Sequence, residues 1–244
     1  PALSIERQDG RSPVFLTCDH ASQRIPRALG DLGVAAADLD RHIAWDIGAL
    51  AVAQGLSVAL DATLVASGYS RLVMDMNRPL QRADLCPVSS EATAVPGNVG
   101  LDDTARATRR RELFDPYHNA IARLLDARRA RPTVLISIHS FTPVYAGVAR
   151  PWEIALLSNR DRRIAECLLA ALRQDSALQV GDNIPYRLTD EGDYGVPVHG
   201  EQRGLPHVLI ELRQDGIASA AGQRAWVRRL APMLVAACTS LLAP

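Results

Sequence analysis

The chain of 244 residues contains no lysine; all 27 of its basic residues are arginine. Chemistry that needs a side-chain amine is thereby excluded: Schiff bases, a pyridoxal-phosphate anchor, phosphate-binding loops ending in Gly-Lys-Ser/Thr, and the Ser-x-x-Lys hydrolases. An excess of either charge is also missing, because 27 acidic residues balance the arginines. A broad surface for nucleic acid or an anionic membrane needs a surplus of basic side chains on one face, so neither partner is expected. The run Arg109-Arg110-Arg111 beside Glu112 reads as a solvated helix face. Cysteine is sparse: Cys18, Cys86, Cys167 and Cys238 stand far apart without a Cys-x-x-Cys pair, which speaks against a zinc ribbon or disulfide framework and for a reducing compartment. No basic segment followed by an apolar core opens the chain, and the apolar stretch 47–66 is broken by Gln54, Gly55 and Asp61. The expectation is a cytoplasmic protein without a membrane span, whose partner is a small-molecule substrate.

What is present suits a compact domain, since 48% hydrophobic and 22% charged residues can build a sizeable core. Neither an internal repeat nor a linker-like shift in composition divides residues 1–244, so a single domain is expected. The first clear element is VFLTC at 14–18, a β-rich run that ends in Asp19-His20. From Ala35 to Gln54 the spacing predicts a helix that carries Asp46, with Leu39, Ile43, Ile47 and Leu50 on one stripe and Gly55 as its stop. Strands are predicted at 57–60, 64–66 and 70–75. The stretch 79–100 has little periodicity, and loops of that length are often functional. A helix at 102–130 precedes a buried strand at 133–138 that ends in His139-Ser140. Further on come a strand at 153–157, a helix at 161–173, a glycine-rich irregular stretch at 181–204, the strand HVLIEL at 207–212, and a closing helix at 219–242 bent at Pro232. Short apolar strands alternating with helices predict an α/β fold with a mostly parallel sheet buried on both faces.

In such sheets ligands sit beyond the carboxyl ends of the strands, which draws attention to the polar residues there. His20, His139 and Glu211 occupy three of those ends, and Arg71, Asp75, Asn77 and Arg78 cluster at a fourth. No strand is followed by G-x-G-x-x-G, so nucleotide chemistry has no support. Two histidines with carboxylates nearby suggest a catalytic metal site, because zinc at such sites takes three His or carboxylate ligands and leaves a fourth position to water. Each residue also has a structural reading. Asp46 could accept a hydrogen bond from His42 four residues earlier, Glu211 could pair with Arg213 or Arg78, and Asp75 could hold Arg71 or Arg78 in a salt-bridged corner. His118 in FDPYHNA reads as a packing or capping residue beside Tyr117. His207 opens its strand at the edge opposite Glu211 and lies outside any site there. A thiol hydrolase using Cys18 beside His20 is a rival reading, since residues two apart on a strand share a face, although burial would leave Cys18 unreactive.

The segments CDHASQRIP, WDIGA, SRLVMDMNRP, ISIHSFTP and HGEQRGLPHVLIELRQD, in this order, resemble the N-formylglutamate amidohydrolase family. The resemblance implies a phosphorylase/hydrolase-like three-layer α/β/α sandwich, similar to the zinc carboxypeptidases, and hydrolysis of N-formyl-L-glutamate or another N-formyl or N-acyl amino acid. The His-x-x-Glu pair of the carboxypeptidases is not intact, because Gln23 stands three residues after His20. In this reading His20, Asp46 and His139 hold one Zn2+, with His42 as the alternative third ligand. Glu211 is the general acid/base. Arg71, Asn77 and Arg78 bind a substrate carboxylate or the developing oxyanion, Asp75 orients one of these arginines, and Ser140 and His199 add substrate contacts. The stretch 79–100 departs from the form of the family that serves histidine breakdown, which leaves the acyl group and the amino acid open. A catalytically inactive small-carboxylate binding protein on the same fold is the alternative.

Overall fold

The computed structural model describes residues 1–242. Its centre is a mixed sheet of seven strands: β1 (Leu3–Glu6), β2 (Val14–Cys18), β3 (Thr63–Ser67), β4 (Val134–Phe141), β5 (Ile154–Leu157), β6 (Val180–Asp182) and β7 (His207–Arg213). They lie in the order β1-β3-β2-β4-β7-β5-β6. The middle four, β3, β2, β4 and β7, run parallel, while β1 is antiparallel to β3 and β5 is antiparallel to β7. Seven helices connect or flank them: α1 (Ala36–Leu39), α2 (Ala49–Leu60), α3 (Asp103–Arg109), α4 (Asp115–Ala127), α5 (Arg163–Leu172), α6 (Gly195–His199) and α7 (Ala220–Leu242).

Alternation along the strands sorts side chains into two apolar layers. Leu16, Cys18, Ile136, Ile138, Ile210 and Leu212 face α2, α5 and α7, packing with Leu56, Leu168 and Leu234. Phe15, Val65 and Leu135 face the other way, onto Tyr117, Ile121 and Leu124 of α4. Helices on both faces of the sheet make the expected three-layer α/β/α sandwich. Within α7, 23 residues long and apolar enough by length and composition to cross a membrane, Trp226, Leu230 and Leu234 belong to the first layer, so its apolar stripe serves as packing surface.

Several local predictions need correction. The helix expected over 35–54 is two helices, α1 and α2, joined by an irregular segment that carries Asp46. Gly48 sets where α2 begins: its φ of +80° is left-handed, and a Cβ there would lie 2.4 Å from the Ile217 carbonyl oxygen. Gly55 does not stop α2, which runs on through the residues 57–60 expected as a strand. A Cβ on Gly55 would meet Val227 Cγ2 at 2.6 Å, so the glycine permits α2 and α7 to approach closely. Residues 70–75 are turns, not a strand, because Ser70 Oγ donates to the Ala44 carbonyl at 2.7 Å and bends the chain there.

The helix expected over 102–130 contains a π turn at Arg110–Phe114 between α3 and α4, directly before Pro116, whose ring and missing N–H disfavour a regular turn there. The segment 79–100 is fastened to the body. Buried Asn98 donates to the Leu72 and Pro87 carbonyls, both at 2.7 Å, and Arg109 donates to Asn98 Oδ1 at 2.6 Å. β4 extends past the expected end at residue 138, so His139 and Ser140 lie within the strand. Edge strand β1, too half-buried to show a clear alternation, has no counterpart in the sequence reading.

Candidate metal centre

A cavity of about 670 Å³ opens at the carboxyl edge of the central strands and is lined by His20, Asp46, Arg71, Asp75, His139 and Glu211 among others. His20 follows β2, His139 sits in β4, and Asp46 comes from the loop before α2, tied back by its N–H to the His20 carbonyl at 2.9 Å. One donor atom of each of His20, Asp46 and His139 falls within 4.8 Å of the others. His139 Nδ1 lies 2.8 Å from Asp46 Oδ2, and His20 Nδ1 lies 3.4 Å from the same oxygen.

The outward nitrogens of both rings are held by carboxylates. His20 Nε2 pairs with Asp75 Oδ1 at 2.7 Å, and His139 Nε2 pairs with Asp19 Oδ2 at 3.0 Å. Asp75 is itself clamped by Arg71 through two bonds at 3.0 and 2.7 Å and accepts the Asn77 N–H at 2.9 Å. Asp19 accepts from Tyr117 Oη at 2.6 Å and from Ser137 Oγ at 3.2 Å. Carboxylate-backed imidazoles that aim their other nitrogen at one point are the usual outer support of a metal site.

Fit to a divalent cation rests on an orphan. Buried His20 Nδ1 has no hydrogen-bond partner among the described residues, although it points at Asp46. Such an atom costs stability unless something accepts its lone pair or proton. Two imidazole nitrogens and a carboxylate oxygen form a donor set that zinc takes, with room left toward the cavity.

Electrostatics point the same way. Burial pushes Asp46 up, but His20 and His139 outweigh it and hold the carboxyl well below the usual range. Asp75 is likewise depressed against its burial by Arg71 and His20, and Asp19 by its bond to His139. His139 is raised well above its ordinary value despite burial, by Asp19 and Asp46. Glu211 differs: burial pushes its carboxyl up to about 7, and Oε2 has no partner.

The strand register places Glu211 on β7 directly opposite His139 on β4, which sets its carboxyl on the cavity floor beside the histidine. It pairs with neither Arg213 nor Arg78; Arg213 bonds Asp215 and the carbonyls of Arg150 and Pro151. His42, the alternative ligand, lines the cavity but bonds Glu91 Oε1 at 3.1 Å and does not reach Asp46. Gln23 bonds Asp40. Cys18 is fully buried in the apolar layer beneath α2 and its thiol is pushed well up, chiefly by burial, so the thiol reading loses its geometry.

Residues expected to face substrate divide. Arg71 lines the cavity with two of its donors spent on Asp75, the arginine that Asp75 orients. Arg78 lines it too, donating to the Gly192 carbonyl at 2.8 Å. Asn77 bridges segments: Nδ2 donates to Asp193 at 2.9 Å, and Oδ1 accepts from the N–H groups of Tyr194 and Gly195 at 3.0 and 2.9 Å. Ser140 holds the loop of Asp46, its N–H donating to Asp46 Oδ2 at 3.2 Å and its Oγ to the Ile47 carbonyl at 2.9 Å. His199 is not at the cavity. It is buried in α6 against His118, with Nε2 3.0 Å from His118 Nδ1, because residues 195–199 of the otherwise largely irregular 181–204 stretch form that short helix. Its expected substrate contact therefore has no path in this structure.

Sequence reading missed Asp19 and Tyr117. The signals for them are slight: Asp19 is a charge at the end of an apolar strand, and Tyr117 stands beside His118. A Cβ on Gly195 would lie 3.1 Å from Asp19 Oδ2, so the glycine lets α6 close over this carboxylate.

A gene product from Agrobacterium tumefaciens of known structure is 39% identical, aligned over 98% of this chain and 96% of its own, with a TM-score of 0.94. The structure of N-formylglutamate amidohydrolase from Ralstonia eutropha shares the fold at 15% identity, over 98% of this chain and 97% of that one, with a TM-score of 0.67. None of the curated proteins matches. Residues 12–218, which span β2 to the turn after β7 and so include every residue of the centre, match the family described as N-formylglutamate amidohydrolase, and the chain belongs to that family.

Proposed function

We propose that this chain is a metal-dependent amide hydrolase that cleaves a small N-acylated amino acid, N-formyl-L-glutamate or a related N-formyl or N-acyl amino acid, into the free acid and the amine. The family supports the amidohydrolase class. One observation carries the metal dependence: two imidazole Nδ1 atoms converge on Asp46 while carboxylates cap their other nitrogens, and one of the two is otherwise orphaned.

His20, Asp46 and His139 are the ligands in this reading, and Zn2+ is the ion that suits them. A bound zinc ion supplies Lewis acidity to a water and to the scissile carbonyl. Glu211 accepts a proton from the water as its oxygen bonds to the acyl carbon, and returns it to the nitrogen as the C–N bond breaks. Its place beside His139, with one oxygen free, suits both transfers. Arg71, fixed by Asp75 and with Nη1 3.7 Å from Asp46 Oδ1, places a positive charge beside the centre, where it stabilises the developing negative charge.

The partner is a small molecule. Four free thiols, three of them buried, accord with a reducing compartment and a cytoplasmic location. The test is reconstitution: protein stripped of metal is inactive on N-formyl amino acids, and one equivalent of zinc restores hydrolysis. Protein that binds no stoichiometric metal, or hydrolyses equally without it, removes the proposal in favour of a small-carboxylate binder.

A further inference from the structure

Four arginines line the cavity: Arg71, Arg78, Arg82 and Arg187. Three are already engaged. Arg71 is clamped to Asp75, Arg82 makes a two-bond pair with Asp84 at 2.8 and 2.9 Å, and Arg78 donates to the Gly192 carbonyl and lies 3.6 Å from Asp84. Among the described residues Arg187 makes no hydrogen bond or ion pair, although it borders the same cavity. The wall therefore offers one uncommitted guanidinium to an anionic substrate.

Part of the lining of the cavity that Arg187 and Glu211 share is apolar. Leu209 stands two residues before Glu211 on β7 and shares its face, and its register partner on β5 is Leu157. Both leucines line the cavity together with Pro185 and Tyr186. Tyr186 is held in place by Arg150, which donates to its Oη at 2.8 Å and places its guanidinium 4.8 Å from the ring centre. Arg150 lies equally close to the Tyr145 ring, at 4.6 Å, so both tyrosines are fixed at this wall.

We infer that the cavity selects an N-acyl amino acid bearing one carboxylate and an apolar or aromatic side chain, with Arg187 binding the carboxylate and the wall of Leu157, Leu209, Pro185 and Tyr186 receiving the side chain. The inference rests on the amide-hydrolase reading and narrows its substrate class. A glutamate derivative brings a second carboxylate to a wall without a second free cation, where its charge is desolvated and unpaired. Arginine's planar fork suits the single α-carboxylate.

Calorimetry on zinc-loaded Glu211→Gln protein measures binding without turnover. N-formyl-L-phenylalanine binds at least about tenfold more tightly than N-formyl-L-glutamate, and Arg187→Ala in that background weakens the phenylalanine compound by about tenfold or more. N-formyl-L-phenylalaninamide, which lacks the carboxylate, changes less than about twofold on the same substitution. Arg187 is exposed, so the variant folds. Equal or tighter binding of the glutamate compound, equal loss on acid and amide, or no binding by either acid overturns the inference. Wild-type hydrolysis, assayed in parallel, tests the enzyme reading separately: the expected binding order without hydrolysis upholds the inference and removes the catalytic role.

Discussion

Glu211 and His139 are register partners on adjacent parallel strands, so their side chains leave the same face of the sheet side by side. The proposed base and a proposed ligand are therefore positioned by backbone hydrogen bonds of the buried sheet, and not by a loop.

From this follows a separation of roles. Glu211→Gln keeps the shape of the cavity floor and all three proposed ligands, so it retains stoichiometric zinc while turnover falls by about 10²- to 10⁴-fold. Metal content and single-turnover rates measured on the same sample check it. Loss of zinc with the activity would make Glu211 a ligand.

Asp75 supports the centre from outside, by holding His20 Nε2 and Arg71 at once. Asp75→Asn should lower zinc affinity about 10- to 100-fold, because the imidazole loses the acceptor that fixes its orientation. It also leaves buried positive charge without its partner, and the metal-free protein should lose about 3 kcal/mol of stability. Chelator competition and urea unfolding report the two effects. Unchanged zinc affinity would reduce Asp75 to a structural partner of Arg71.

His118 and His199 make the fold acid-sensitive at a distance from the ligands. Burial depresses His118 to about 4 and His199 to about 3, so the native state keeps both neutral. Above about pH 6.5 neither folded nor unfolded chain protonates them and the stability is fully present. As pH falls below that value the unfolded chain takes up protons that the native state refuses. Stability then declines by up to about 1.4 kcal/mol per pH unit for each proton, until the pH falls through the folded values. In metal-free protein the wild type should lose stability faster than His199→Leu between pH 6.5 and pH 4. Parallel slopes in urea titrations would show that the pair does not carry the effect.

Gly48 links the backbone to the centre, since Asp46 stands two residues before a left-handed turn pressed on the Ile217 carbonyl. Gly48→Ala should cost about 1–3 kcal/mol and weaken zinc binding by displacing the Asp46 loop. Thermal unfolding with and without zinc measures both. A variant as stable as wild type would mean that the turn relaxes freely.

Much of this could be read from the order of residues. Apolar runs leading to His20, His139 and Glu211 mark three strands and the side of the sheet on which the site lies, although β4 and β7 run two residues beyond His139 and Glu211. The arginine and acid corner at 71–78 was legible as a cluster. Local patterns fail where a contact from elsewhere decides the backbone: Gly48 against Ile217 holds the start of α2 beyond Asp46, and Gly55 against Val227 lets α2 continue through a stretch that reads as a strand.

The sequence by itself determined the alternation of strands and helices, the absence of lysine chemistry, and the types of side chain available to a metal, because these depend only on composition and short-range period. Only the tertiary structure decided that Asp19 and Tyr117 stand behind His139, that His199 turns away to His118, and that three of four cavity arginines are already paired. Those facts depend on which distant segments meet. Hydrogen bonding and charge pairing in a buried site are settled by proximity in space, which spacing along the chain does not encode.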